Sequence, residues 1–235
     1  MIFNKFFILF KIGRKIGKSN IINIVSETHK IPVFIKIFFN LLAFSFSSSN
    51  NTKSKGRENL SESIQEMGTT FIKLGQFLAT RPDIIGEKLS KELESLQDKL
   101  PPFSKKEAEK IIIENLGQSN FDDIIDLSEP IAAASIAQVH KAKIKEDNII
   151  KNVAIKVLRP NIKKIFNDEI DAIMLLAYIV ESLISKTKRL KLIEVVFLFK
   201  EITNHEMDLR FEAAAANEYA ENTKNDLGFF VPKIY

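Results

Sequence analysis

From Glu58 onward the apolar positions Leu60, Ile64, Met67, Phe71, Leu74 and Leu78 recur at three- and four-residue steps, the spacing that lines one face of an α-helix. One helix is predicted there, stopped at Thr80-Arg81-Pro82-Asp83 because proline disfavours helical conformation in the residue before it. Residues 86–99 read as a second amphipathic helix, ended by Pro101-Pro102. Ser104-Lys105-Lys106-Glu107 has the form of a capping box, opening a third helix that closes at Leu116 with Gly117 behind it. After Phe121 the pattern changes. Asn152 to Leu158 is a nearly continuous Val/Ile-rich run, which is how a strand buried on both faces reads. Gln138–Ile144 before it, across the charged turn Lys145–Asn152, makes a hairpin. Arg159-Pro160 ends the second strand. Two long helical patterns follow, about 162–185 and 192–220. The apolar stretch 170–184 holds Asp171 and Glu181, so it reads as a buried helix rather than a membrane span. Phe229 to Tyr235 reads as the start of a further strand.

Three sets of residues on this frame could carry chemistry. Lys156 stands alone in Val153-Ala154-Ile155-Lys156-Val157. A buried ammonium is costly unless an anion meets it, and V-A-I-K on a strand is how kinases present the lysine that grips nucleotide phosphates. The alternative is an edge-strand lysine facing water. In Lys73-Leu74-Gly75-Gln76, Lys73 and Gln76 lie three apart and share a helix face, beside a glycine that removes a side chain. That suits close approach to another surface, or else a solvated pair with an incidental glycine. Asp208 and Glu212, four apart on the last helix, are each candidate partners for a lysine.

Composition sharpens the picture in two places. The 235 residues contain no cysteine, which excludes disulfides, thiolate metal sites and thiol catalysis. His29, His140 and His205 have no zinc-ligand spacing, and no metal site is expected. The net charge is +4, yet residues 1–50 carry seven Lys/Arg against one acid, Glu27, and nine of the 19 phenylalanines. Within them the run Ile31–Phe46 is too short, and too interrupted by Pro32, Lys36 and Asn40, to span a bilayer. It reads as an amphipathic helix on an anionic membrane surface or as a helix packed on the protein. No small-residue cleavage site follows the first apolar run, so a removable secretory signal is not expected. Ser47–Gly56 reads as a linker. The expected organisation is a basic, Phe-rich segment (1–50), a helical extension (51–118) and a mixed region (119–235).

Taken together and in order, these residues resemble the UbiB family of atypical protein-kinase-like proteins, linked to ubiquinone biosynthesis. The K-x-G-Q signature is Lys73-Leu74-Gly75-Gln76. The alanine-rich loop that replaces the kinase glycine-rich loop is Ala132-Ala133-Ala134-Ser135. The strand lysine is Lys156, the E-x-D pair is Glu206 and Asp208, and Glu212 stands where the helix glutamate pairs with that lysine. The similarity runs from about residue 58 to the end. It implies an α+β fold: a protein-kinase-like N-terminal lobe, with a small antiparallel sheet and helices, behind an α-helical N-terminal extension. It implies ATP as cofactor, with Ala132, Ala133, Ala134, Ser135, Lys156 and Glu212 binding nucleotide and Lys73, Gln76, Glu206 and Asp208 in the catalytic group. Lys73 would meet the carboxylates of Glu206 and Asp208, with the K-x-G-Q helix covering the place where a kinase binds peptide. Glycine-rich loops wrap phosphates because bare backbone can approach them; alanine methyls restrict that loop, so nucleotide should sit differently and phosphotransfer to proteins should be impaired. The K-x-G-Q lid, by the same resemblance, favours small-molecule or lipid-linked chemistry or ATP hydrolysis over protein phosphorylation.

Phosphoryl transfer also needs a metal-binding Asp, a catalytic Asp and an Asn from a kinase C-terminal lobe. The resemblance therefore implies that this lobe is missing here, with Mg expected only if it is supplied. One expectation is the N-terminal portion of a UbiB-type kinase or ATPase, catalytically incompetent alone and completed by a separate C-terminal half. The other is a non-catalytic membrane-associated or scaffold protein, a remnant of such an enzyme. Expected partners are nucleotide, a lipid or quinone-pathway ligand and a membrane surface. Nucleic acid is not among them, since the basic residues interleave with apolar ones and no recognised motif frames them. The expected location is the cytoplasmic face of a membrane, or the cytoplasm.

Overall fold

A computed structural model describes residues 2–18, 21–28, 37, 60–146 and 148–235. The run Ile31–Phe46, save Ile37, and the Ser47–Gly56 stretch lie outside the described residues. Two N-terminal helices, α1 (Ile2–Lys18) and α2 (Ile21–Thr28), precede α3 (Leu60–Gln65), α4 (Thr69–Ala79), α5 (Pro82–Ile85), α6 (Glu87–Glu94), α7 (Lys105–Leu116) and α8 (Gln118–Asp122). An antiparallel sheet in the order β1-β2-β3 follows, from β1 (Pro130–Ala133), β2 (Ala137–Glu146) and β3 (Ile149–Leu158). Then come α9 (Ile162–Leu183), a 3₁₀ turn (Ser185–Leu190), α10 (Leu192–Glu206) and α11 (Leu209–Asn222). This is the expected α+β arrangement of a small antiparallel sheet among helices. Among the described residues no helix is long and apolar enough to cross a membrane.

The sequence signals hold where local chemistry decides. Ser104 caps α7 by accepting the Glu107 N–H at 3.3 Å, while its hydroxyl donates to the Glu107 carboxylate at 3.0 Å. Gly117 closes that helix at φ +85°. The hairpin is in register from Ala137↔Leu158 to Glu146↔Ile149, so both strands run further into the charged stretch than the pattern suggests. Asn148 takes the left-handed conformation (φ 59°) that tight hairpin turns demand.

Four expectations are corrected. The helix read continuously from Glu58 breaks at Gly68, whose φ of +101° admits the kink between α3 and α4. The helix read over 86–99 stops at Glu94, and Leu96 packs inward from a non-helical segment. The helix read over 192–220 is two, parted at Met207 and Asp208. Phe229–Tyr235 joins no strand.

Two cores hold the sheet in place. Ala108 and Ile112 of α7 pack with Leu127, Ala142 and Val157 on one side. On the other, Ile136 and Ala137 meet Ile162, Phe166 and Ile170 of α9 and Val196, Phe199 and Met207 from α10 and its end. Leu74 and Phe77 of α4 join this second core, with the Phe77 and Phe199 rings 5.6 Å apart. α1 lies on α9 and α4 through Ile12, Met67, Phe71 and Ala172. The K-x-G-Q helix is thereby fixed from two sides.

Candidate nucleotide site

Lys156 sits on β3, which is an edge strand of the sheet and not the doubly buried strand the apolar run suggested. Its residues alternate between half-buried or buried and exposed positions. β2 is the central strand, so the inward half of the alternation takes Val153, Ile155 and Val157 and leaves Lys156 on the open face. There its Nζ meets Glu212 Oε2 at 2.6 Å. The side chains remain 39% and 60% exposed, so the pair contributes under about 1 kcal/mol to stability. Its effect is to fix the direction of the lysine.

Lys73, by contrast, is only 15% exposed and lies between two carboxylates, Glu206 Oε2 at 3.1 Å and Asp98 Oδ2 at 3.8 Å. The Lys73–Glu206 contact is the one the resemblance implies. The Lys73–Asp208 contact is replaced by one to Asp98. Asp208 is the N-cap of α11: its Oδ1 accepts the Arg210 N–H at 3.1 Å, and its two oxygens take the Arg210 guanidinium at 2.8 and 2.5 Å. That side-chain bond holds the Asp208 carboxyl far below the usual carboxylate range, against a weaker opposing effect of burial. The break at Met207 explains the divergence. With Met207 1% exposed and pinned in the core, Glu206 ends α10 facing α4 while Asp208 starts a new helix.

Gly75 is buried against α3 and the 95–98 segment: a Cβ there would stand 2.7 Å from Leu96 Cδ2 and 3.3 Å from Ile64 Cγ2. The close approach it permits is therefore to the protein's own packing. Gln76 is half-buried on the same helix.

The alanine-rich segment finishes β1 at Ala132 and Ala133 and turns at Ala134 and Ser135 into β2. Its backbone is held at four points. The Ala134 N–H donates to Ala137 O at 2.8 Å. The Ala134 carbonyl accepts Arg159 Nε and Nη2 at 3.0 and 2.8 Å. The Ser135 N–H donates to Asp98 Oδ1 at 3.0 Å, and the Ser135 carbonyl accepts the Thr69 hydroxyl at 3.1 Å. Arg159 also donates to the carbonyls of Leu100 and Pro101; burial lowers its pKa and the Asp98 charge acts the other way. Neither Asp98 nor Arg159 was singled out from sequence. Asp98 falls inside the helix read over 86–99, where it passes for an exposed polar position; the helix ends at Glu94, and Asp98 lies in the non-helical segment before Pro101-Pro102.

Beneath the turn lies a buried polar network. Gln138 accepts the Phe103 N–H at 3.0 Å, donates to Phe103 O at 3.2 Å, and stands 2.9 Å from His140 Nε2. The other ring nitrogen of His140 is 2.8 Å from Ser128 O. These residues lock β2 to the segment after Pro102.

A strand lysine paired to a helix glutamate beside a small antiparallel sheet is the arrangement of the kinase-like class of lobes. A family model described as the ABC1 atypical kinase-like domain matches residues 95–235, and the chain belongs to that family. It is 31% identical over 229 residues to the "Probable protein kinase UbiB" of Pseudomonas paraeruginosa (strain PA7), covering 97% of this chain and 42% of that protein. To the like-named protein of Marinobacter nauticus it is 35% identical over 206 residues, covering 87% and 37%. To that of Cellvibrio japonicus it is 34% identical over 206 residues. The chain thus spans about two-fifths of the length of the curated relatives it matches.

As a seat for ATP, the site offers a directed lysine in Lys156 and its partner Glu212. A lysine there would supply charge to phosphates. The turn offers less: of its backbone donors, those of Ala134 and Ser135 are both engaged within the protein.

Proposed function

We propose that this chain is the nucleotide-gripping N-terminal portion of a UbiB-type atypical kinase or ATPase that supports ubiquinone biosynthesis. The carrying observation is the Lys156–Glu212 pair at 2.6 Å, beside which stands the Lys73–Glu206 pair at 3.1 Å from the end of the preceding helix. Lys156 takes the phosphates, Glu212 aims it, and the α4 helix covers the opening where a peptide would otherwise enter. The family match and the relatives named as probable protein kinases support nucleotide as the ligand. On this reading the 235 residues bind ATP without turning it over. The metal-holding Asp and Asn that phosphoryl transfer requires come from a C-terminal lobe, in a longer or second polypeptide. Titration calorimetry of the full chain with ATP tests it. Lys156→Ala should weaken binding at least tenfold with an unchanged melting temperature, and supplying the C-terminal lobe of a relative should restore turnover that the same substitution abolishes. ATP affinity indifferent to Lys156 would refute the assignment.

One observation favours a second property, peripheral attachment to the cytoplasmic face of an anionic membrane. α1 leaves Phe7 and Phe10 exposed, with the Lys11 ammonium 4.6 Å above the Phe7 ring, on the basic segment. Apolar side chains flanked by lysines suit a headgroup boundary. Flotation with phosphatidylglycerol vesicles should retain the chain, weaken with salt and survive Lys156→Ala; absence from the vesicle fraction at low salt removes this property.

A further inference from the structure

Asp98 accepts one of the two satisfied backbone donors of the alanine-rich turn. It faces three positive features at once: the Ser135 N–H at 3.0 Å, the Lys73 ammonium at 3.8 Å, and the field of Arg159. A backbone N–H with flanking cations is the environment that binds phosphate in nucleotide loops. Here a carboxylate of the chain itself fills it. The neighbouring contacts make the turn rigid around that carboxylate: the Thr69 hydroxyl at the start of α4 holds the Ser135 carbonyl, and Arg159 holds both Ala134 O and the carbonyls of Leu100 and Pro101, just beyond Asp98. Ser135 itself is fully buried.

We propose that Asp98 is a positioning residue that latches the alanine-rich turn to the Lys73 helix and keeps the Ser135 N–H from serving a phosphate. The inference deepens the nucleotide reading by assigning the restriction of the loop to a carboxylate as well as to the alanine methyls. Asp98 does not touch nucleotide. It acts through Ser135, and opening the latch frees the Ser135 N–H for an anion while Lys73 stays tied to Glu206 at 3.1 Å.

The substitutions Asp98→Asn and Asp98→Ala separate the two contacts. Asparagine keeps an oxygen for the Ser135 N–H but drops the charge at Lys73; alanine drops both. In the full 235-residue chain, amide hydrogen exchange of residues 134–136 should rise at least tenfold in Asp98→Ala and stay within about twofold of the parent in Asp98→Asn. Amides in the core of β2 should be unchanged in both, which a global loss of stability would not allow. Binding to ATP and to adenosine supplies the second arm. Asp98→Ala should tighten ATP several-fold while leaving adenosine, which has no phosphates, unaffected. Unaltered exchange at 134–136 in Asp98→Ala overturns the latch, as does an equal change for ATP and adenosine. A chain that shows the exchange pattern but binds neither ligand retains the latch and loses the nucleotide reading on which the second arm rests.

Discussion

Asp208 shows how one residue can leave the group in which its spacing placed it. Its oxygens serve the first turn of α11 and the Arg210 guanidinium, and those bonds hold its folded-state pKa below that of an unfolded aspartate. A depressed carboxylate pKa contributes stability in full above the unfolded value, near pH 4, and loses it as the pH falls through the folded one. Asp208→Asn should therefore be less stable than the parent at pH 7, with the gap beginning to narrow below about pH 4 and smaller at pH 3; urea unfolding at pH 7 and pH 3 reads this, and a gap that stays constant would deny the linkage. The helix spacing of Asp208 and Glu212 suggested equivalent acids, and only the backbone break at Met207 separates them. That break was not legible, because Met207 fits the apolar periodicity as well inside one helix as between two. Lys156 and Glu212 were legible as residues and as a pair. The exposure of the lysine was not, since an apolar run cannot tell an edge strand from an interior one.

Among the elements, α4 carries the most consequence. Its Leu74 and Phe77 pack on α10, its Lys73 reaches Glu206, and its Gly75 nests against Ile64 and Leu96. Alanine at 75 gains helix propensity of roughly 1 kcal/mol and asks only the tip of Leu96 and the branch of Ile64 to move. Valine cannot be absorbed in that way. Gly75→Ala should lie within about 1 kcal/mol of the parent, whereas Gly75→Val should lose about 1–3 kcal/mol through overpacking, as measured by thermal unfolding; equal effects would mean that the nest is loose. The apolar steps from Leu60 to Leu78 announced the face of this helix. They could not announce the kink at Gly68, because the periodicity runs through it unbroken while one glycine at positive φ turns the axis.

At the scale of the molecule, the two cores that hold the sheet contrast with the exposed α11 and the segment after it. α11 buries none of its residues, and Phe211, Tyr219, Leu227, Phe229 and Phe230 are all exposed. Apolar surface of that extent binds hydrophobic dyes and promotes association. The double substitution Leu227→Asp/Phe230→Asp should lower dye binding and concentration-dependent light scattering with no drop in melting temperature; unchanged scattering would place the association surface elsewhere. The α+β class, the hairpin and the kinase-like order of motifs could be read from the chain because each rests on contiguous residues. The meeting of Asp98 with Ser135, and of Arg159 with residues 100, 101 and 134, depends on chain folded across tens of positions, where no local signal points.

Met207, sunk in the core, parts two helices that each carry an ion pair: Glu206 closes α10 on Lys73, and Glu212, six positions on, meets Lys156 from the first turn of α11. Two lysines from distant parts of the chain, one on a helix and one on a strand, are thereby moored to a single short stretch of backbone whose direction one buried thioether side chain sets.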